Sequence, residues 1–319
     1  MRLAKPFYRL PVRFDAERLR TEAAALSPAA WADHPSEIEG NSSVRLISVN
    51  GGENDDVNGV MLPTPHLRQC PYMLQVLASF GVVWSRSRLM RLQPHAIVPE
   101  HADINYHWFN RVRLHIPVLT RPEVQFHCDG QVVHMAAGEA WVFDNWRRHR
   151  VDNPTDDIRI HLVADTSGTS SFWQFVAQSD QPGIQQRQFN YDPARNVSLL
   201  TERAAARPVM LPAEVDLLSL DLRNELTASA DTPQSRAQLG RYHALLDGFC
   251  RDWRQLYLLY GESEAGAAEY ERLREALRTA SRAHGEGLSM TTGVHRRRLE
   301  HELAHRVCRC DTDGVQKRQ

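Results

Sequence analysis

Lysine is almost missing from this chain. Of its 38 Lys and Arg residues only Lys5 and Lys317 are lysines, and both lie near the ends. That argues against a Schiff-base lysine in a central pocket. The sequence also contains no Gly-Lys-Ser/Thr phosphate loop. Net charge is missing as well, since 39 acidic residues balance the basic ones to a formal −1. No bulk charge points to nucleic acid or to a membrane surface, so neither is expected as a partner. The five cysteines, Cys70, Cys128, Cys250, Cys308 and Cys310, are odd in number and scattered. That suits a reducing compartment better than a disulfide framework. The opening Met1-Arg2-Leu3-Ala4-Lys5-Pro6 lacks the apolar run of a signal peptide, and no stretch of about eighteen apolar residues exists anywhere. The expectation is a cytoplasmic protein that does not cross a membrane.

The 319 residues suffice for one large domain or two ordinary ones. A short strand is expected around Phe7-Tyr8-Arg9-Leu10, then a helix from Ala16 to Leu26 with Asp15 as its cap. Val44-Arg45-Leu46-Ile47-Ser48-Val49 alternates like a strand, Gly51 to Asp56 reads as an acidic loop, and a helix is expected from about Pro65 to Ala78. From Val82 onward, short β-rich runs repeat between turn signals: Trp84 to Leu92, Arg111 to Leu119, Val124 to Cys128, Val132 to Met135, Ala140 to Phe143 and Ile158 to Val163. Asp129-Gly130 marks a hairpin between two of them. Closely spaced strands of this kind predict a mainly β fold, a double-stranded β-helix or jelly roll of the cupin kind. Beyond about Phe172 the pattern turns helical, with Tyr242, Leu245, Leu246, Phe249, Trp253, Leu256, Tyr257 and Tyr260 at helical spacing and a second amphipathic stretch at Glu269 to Arg282. The expected division is a β domain at 1–168, its core at about 82–166, and an α-helical C-terminal region at 169–319. Packing on the barrel, capping its mouth and homodimerisation through the helical region all fit that pattern.

Inside the β-rich stretch stand Pro99-Glu100-His101-Ala102-Asp103, then Arg147-Arg148-His149, and ten residues later Arg159. Two imidazoles and one carboxylate on one face of an ion leave further positions open, the donor set of non-heme Fe(II) oxygenases. Residues i and i+2 of a strand, or of its end, point to one side, so His101 and Asp103 can reach one ion with His149. The guanidinium of Arg159 fits the distal carboxylate of a 2-oxoglutarate co-substrate. Fe(II), 2-oxoglutarate and O2 are therefore the expected cofactor set for the 1–168 domain. Asn105, Trp108, Trp146 and Arg147 flank the metal residues and are candidate contacts to a small amino-acid or peptide substrate. Asp144 is a rival carboxylate better placed in a turn, and His161 reads as structural.

The segments Val98 to Asp103, Arg111 to Pro117, Met135 to Asp144, His149 and Arg159 together resemble the aspartyl/asparaginyl β-hydroxylase family, whose bacterial relatives include free-proline cis-4-hydroxylases. The likeness covers about Val82 to Asp165 and leaves the C-terminal half uncovered. It implies a double-stranded β-helix using Fe(II), 2-oxoglutarate and O2. It also implies His101 and His149 as iron ligands, with Arg159, Arg113 and His115 holding 2-oxoglutarate. Animal members of the family lack the carboxylate after the first His, whereas Asp103 stands there in this chain, as in the bacterial amino-acid hydroxylases.

Two other classes compete. His301-Glu302-Leu303-Ala304-His305 matches a zinc-metallopeptidase motif, with Asp311 six residues on. Cys308 occupies the position where such proteins need Gly, and Arg296-Arg297-Arg298 reads as a solvated helix face. A non-catalytic cupin-like binding protein would keep the barrel without the chemistry. The intact His101–Asp103–His149 set with Arg159 favours the hydroxylase reading over both.

Overall fold

Strict alternation of apolar and polar residues gives this chain its main sheet. In Val112-Arg113-Leu114-His115-Ile116-Pro117-Val118-Leu119 the valines, leucine and isoleucine at even positions are buried on one face, while Arg113 and His115 point to the other. The computed structural model describes residues 1–33, 38–57, 59–103, 106–179, 181, 183–203, 209–285 and 287–290. They divide into two compact units, one comprising Met1–Asp103 and His107–Ala206, the other the described part of Arg207–Thr312.

The strands of the first unit are, in chain order, β1 (Phe7–Arg13), β2 (Ala32–Asp33), β3 (Asn41–Val49), β4 (Met61–Pro63), β5 (Trp84–Leu92), β6 (Ile97–His101), β7 (Val112–Leu119), β8 (Gln125–Cys128), β9 (Gln131–Val133), β10 (Glu139–Phe143), β11 (His149–Asp152), β12 (Arg159–Thr166) and β13 (Arg187–Gln188). Its helices are α1 (Ala16–Ala25), α2 (Pro65–Arg68), α3 (Pro71–Ala78), α4 (Tyr106–Phe109) and α5 (Ser170–Gln178). A large sheet runs β13-β1-β10-β7-β12-β5-β3-β2, with β4 beside β3, and a small sheet runs β6-β11-β8-β9. All these pairings are antiparallel except β1 with β13. The two sheets face each other across Leu92, Trp141 and Phe143 from the large one and Phe126, Cys128 and Val151 from the small one. This is the jelly-roll arrangement expected from the strand pattern.

The outer face of the large sheet carries the main core. Leu10, Val12, Val44, Leu46, Leu89, Leu114, Ile116, Leu162 and Val142 pack with Leu19 of α1, Met73, Val76 and Leu77 of α3, and Phe172 and Val176 of α5. Each such side chain contributes about 1.5–3 kcal/mol by leaving water, which decides which face turns outward. The boundary expected at 168 falls inside this unit, because α5 buries Phe172 and Val176 in that core. The single helix expected at Pro65–Ala78 is two, since Pro71 cannot donate into a continuing helix. Cys70 gives α3 no side-chain cap. Instead the Glu22 carboxylate of α1 accepts the Tyr72 and Met73 amides at 2.6 and 2.9 Å. Gly138 takes φ +81°, its carbonyl accepts the Phe14 amide at 2.7 Å, and a Cβ on it would stand 2.4 Å from the Phe14 carbonyl oxygen.

The second unit is helical: α6 (Pro212–Glu225), α7 (Pro233–Tyr260) and α8 (Ala267–His284), with a small ladder of β14 (Leu226–Ala228) and β15 (Leu288–Met290). α7 starts well before Tyr242 because Thr232 caps it, accepting the Ser235 amide at 3.1 Å. Tyr242, Leu246, Phe249 and Trp253 form its buried stripe, with the Trp253 and Tyr270 rings 4.7 Å apart. No described helix is long and apolar enough to cross a membrane. His301, His305, Cys308, Cys310 and Asp311 lie outside the described residues.

Candidate metal centre

The small sheet brings two histidines to one spot. β11 and β6 pair with Asp152 opposite Ile97 and Val151 opposite Val98, yet His149 stands opposite His101. One extra residue of β6 is therefore accommodated as a bulge just before His101, a device common beside active sites. The two imidazole centroids are 4.2 Å apart. Asp103 lies just past the end of β6, where its amide donates to the Asn145 carbonyl at 2.8 Å. Its Oδ2 comes within 4.0 Å of His149 Nε2. One donor atom each from His101, Asp103 and His149 falls within a 4.8 Å span, and no other such set of three occurs among the described residues. Two donors each about 2.0–2.2 Å from a common ion stand about 3–4 Å apart, so the three can share one.

The imidazoles are prepared for that role by their own backbone. His101 Nδ1 donates to the Pro99 carbonyl at 2.7 Å, and His149 Nδ1 to the Arg147 carbonyl at 2.8 Å. Each ring thereby keeps its proton on Nδ1 and turns a bare Nε2 toward the centre. His149 is 4 % exposed and wedged between Phe126, stacked at 6.2 Å, and Phe143, edge-on at 4.8 Å. Burial, then His101 beside it, lowers its pKa to about 4, so its lone pair is available at neutral pH. This donor set fits a divalent transition metal. Asp144, 1 % exposed, is no rival: its carboxylate accepts the amides of Trp146 and Leu3 at 3.0 and 2.9 Å and the Arg147 Nε at 3.0 Å.

The inner face of the large sheet supplies the cations. Arg159 is buried at 4 % exposure, and no carboxylate lies within ion-pair distance of it among the described residues. Burial lowers its pKa to about 9. One Nη donates to His161 Nδ1 at 2.7 Å, and its Nε has no partner. His161 Nδ1 in turn lies 3.3 Å from His115 Nδ1. Since His161 accepts from Arg159, it carries its proton on Nε2 and His115 carries one on Nδ1. Both histidines are held neutral, by burial first and by Arg159 next. Their Nε2 atoms are buried and unpartnered. His161, read from sequence as structural, therefore touches a buried guanidinium with no carboxylate within ion-pair distance among the described residues.

Arg113 is placed differently. Its Nε and Nη2 lie on the two oxygens of Asp165 at 2.8 and 3.2 Å, with the Trp108 ring 4.5 Å from the guanidinium carbon. Asp165 also accepts from His107 Nε2 at 3.3 Å. Burial raises the Asp165 pKa, but Arg113 and then His107 outweigh it and hold the carboxyl well below its usual range. Arg147, expected to meet substrate, is tied by its three nitrogens to Asp144, Asp129 and the Leu3 carbonyl. The turn before β11 accounts for all of it. Trp108 and Trp146 are buried at 3 and 6 %, joined by a 2.9 Å bond from the Trp146 indole to the Trp108 carbonyl. Asn105 lies outside the described residues.

Sequence reading gave no role to Arg86 and Arg88 of β5, Arg45 of β3 or Asp165, and met His107 only within Asn105-Tyr106-His107-Trp108, beside the first metal residues. The available signal was Arg86-Ser87-Arg88, two charges at i and i+2 on a strand bounded by Trp84 and Leu92.

Residues 53–168 match the family model described as aspartyl/asparaginyl beta-hydroxylase. That is the stretch whose motifs carried the resemblance. L-Proline cis-3-hydroxylase 1 from a Streptomyces species is 24 % identical over 182 residues, which is 53 % of this chain and 62 % of that protein; the chain thus spans less than two thirds of this curated relative. Among solved structures, an oxidoreductase of the 2OG-Fe(II) oxygenase family from Burkholderia pseudomallei is 17 % identical, with 48 % of this chain and 77 % of that chain covered at a TM-score of 0.35. A Pseudomonas putida prolyl-4-hydroxylase is 15 % identical, with 52 % and 95 % covered at a TM-score of 0.36.

Proposed function

We propose that the protein is an Fe(II)- and 2-oxoglutarate-dependent dioxygenase. It hydroxylates an unactivated carbon of an amino acid or of an aspartyl/asparaginyl-type residue, whether free, peptidyl or carrier-bound. The observation that carries this reading is a pairing across the barrel: three donors converge on one point at the small sheet, and the large sheet that faces it carries a buried arginine with no carboxylate within ion-pair distance among the described residues.

In this reading His101, Asp103 and His149 hold the iron, and Arg159 receives the distal carboxylate of 2-oxoglutarate. Iron, 2-oxoglutarate and oxygen together supply an oxidant strong enough to replace an aliphatic C–H by C–OH. The chain's own part is orientation and exclusion of water. His161 fixes one edge of the Arg159 guanidinium, leaving the rest directed at the ligand. Phe126 and Phe143 make the wall behind His149 apolar. His115, neutral and between His161 and the Phe143 ring, lines the path from Arg159 toward the metal.

The test is to incubate the iron-loaded protein with 2-oxoglutarate and to measure succinate, then to repeat with amino-acid and peptide pools and search for products heavier by one oxygen. Slow succinate release without a prime substrate, faster release and an oxygenated product with one, is the expected result. No succinate at all with iron bound would reject the reading in favour of a barrel that binds without turnover.

A further inference from the structure

Beside the metal residues the barrel holds more buried positive charge than the proposed cofactors need. Arg86 and Arg88 stand on the inner face of β5, and Arg45 stands opposite Arg88 on β3. All three are buried, at 9, 6 and 9 % exposure. A single carboxylate, Asp55 from the loop after β3, is set among them. Its oxygens take Arg45 Nη2 at 2.5 Å and Nε at 3.3 Å, and Arg88 Nη2 lies 2.6 Å away. Burial raises the Asp55 pKa, yet Arg88 and Arg45 outweigh it and keep the group ionised.

The account does not close. Arg86 reaches only the Asp55 main-chain oxygen, at 3.2 Å, and comes no nearer than 3.8 Å to Asp165, which Arg113 already holds. Arg86 Nε is buried without a hydrogen bond. Arg88 Nη2 is close to Asp55 but lacks the alignment of one. Four guanidiniums, Arg45, Arg86, Arg88 and Arg113, thus share two carboxylates within ion-pair distance among the described residues, Asp55 and Asp165, with the metal-site carboxylate Asp103 further off. Arg86 and Arg113 both feel the charge of Asp103, so this surplus borders the metal residues. Arg159 is a separate feature. It sits opposite Leu92 on the β12–β5 ladder, four residues from Arg88 and about 13 Å along the strand.

Buried like charges at close range are retained only where something of opposite sign joins them. We propose that Arg86 and Arg88, backed by Arg45 and braced by Asp55, form the subsite for a carboxylate of the hydroxylation substrate, and that they select a substrate with net negative charge over a zwitterion or a cation. This rests on the oxygenase reading and narrows it. A zwitterion would bring its ammonium to a wall whose acceptors are already engaged, whereas an added carboxylate supplies the charge the wall lacks. Guanidiniums, as planar double donors, suit a carboxylate geometrically as well.

The test compares isosteric pairs on the whole protein, loaded with iron and saturating 2-oxoglutarate and kept free of oxygen. L-Aspartate against L-asparagine and L-glutamate against L-glutamine differ by one charge at constant shape. The same four residues capped as N-acetyl amides separate a free acid from a chain-borne one, and sulfate serves as a bare anion. Binding is read by tryptophan fluorescence and by melting temperature. In at least one pair the acid should bind about tenfold or more tighter than its amide, a difference of about 1.4 kcal/mol. Arg86→Gln and Arg88→Gln should each abolish that preference while the 2-oxoglutarate affinity stays within about twofold. Amides that bind as well as their acids, or a protein on which neither the acids nor sulfate register, overturn the proposal. Because the first readout uses the parent protein, a poorly folding variant does not spare it. Succinate release, measured in parallel, separates the two readings. Its absence beside a clear acid preference removes the oxygenase but keeps the anion subsite; its presence without a preference removes only the subsite.

Discussion

Arg159→Met sets the cost of a buried charge against the gain from its ligand. Arg159 is 4 % exposed and has no described carboxylate within ion-pair distance, and burial lowers its pKa to about 9. One pK unit is about 1.4 kcal/mol, so keeping this guanidinium charged costs the ligand-free fold up to a few kcal/mol. The folded pKa lies below the unfolded one. The penalty is therefore complete below about pH 9 and fades only as the pH rises from there toward the ordinary guanidinium range. Methionine matches the stem, fills similar space and removes the charge. It also removes one of the two donors to His161 Nδ1, leaving His115 Nδ1 at 3.3 Å, which returns about 1 kcal/mol of the gain. The ligand-free variant should accordingly melt at the parent temperature or slightly above it near neutral pH. Its affinity for 2-oxoglutarate, measured by calorimetry on the iron-loaded protein without oxygen, should fall by about 2–5 kcal/mol, or about thirtyfold and more. A variant that melts far below the parent but binds 2-oxoglutarate unchanged would refute the assignment and make Arg159 a structural cation.

Three further outcomes are expected. Asp103→Ala should lose bound iron and succinate formation, whereas Asp144→Asn, though destabilised by about 1–3 kcal/mol through its lost amide contacts, should retain iron; metal analysis of both proteins decides. Burial lowers the His107 pKa to about 3 despite Asp165 beside it, so the unfolded chain takes up that proton first and stability drops as the pH falls from about 6.5 toward 3. His107→Asn should flatten the drop in urea midpoint between about pH 7 and pH 4.5, and an unchanged slope would contradict the assignment. Gly138→Ala should lower stability by about 2–4 kcal/mol in urea, since it forces a side chain into positive φ against the Phe14 carbonyl; a neutral result would mean that β1 does not close on this turn as described.

The strands of the large sheet were legible because their outer face is apolar. Trp84 to Leu92 reads as a strand in sequence and is one residue for residue. β6 and β11, which carry His101 and His149, were not legible as strands. Ile97 to His101 is mostly exposed and His149 to Asp152 is short and polar, so neither shows the alternation that marks a half-buried strand. The metal residues were nonetheless found, because their chemistry is written in residue type and order rather than in hydropathy. The arginine wall escaped for the opposite reason. Alternating Arg on a strand normally means a solvated face, yet Arg86, Arg88 and Arg159 are buried, Arg86 and Arg88 beside Asp55 from the loop after β3. Whether an arginine is paired is likewise a property of strands far apart in sequence: Asp165 reaches Arg113 across 52 residues, while no carboxylate among the described residues comes within ion-pair distance of Arg159.

The bulge in β6 makes the composition of the metal site a matter of counting. Continuing the register that pairs Asp152 with Ile97 and Val151 with Val98 would set Glu100, not His101, against His149. In the structure Glu100 instead meets Arg148, its carboxylate taking the Arg148 Nε at 2.6 Å. Removing a single residue between Val98 and Glu100 would take out the bulge and still leave His101 opposite His149, whereas straightening the strand at its present length would exchange that imidazole for the Glu100 carboxylate. A site of two carboxylates and one imidazole is a harder donor set, shifted toward magnesium and manganese. Insertions between β6 and β11 have no such power, because cross-strand pairing rather than chain length sets His149 in place. The donor that stands opposite His149 thus depends on whether one exposed strand end keeps its bulge, while the two histidines and the aspartate remain in the sequence.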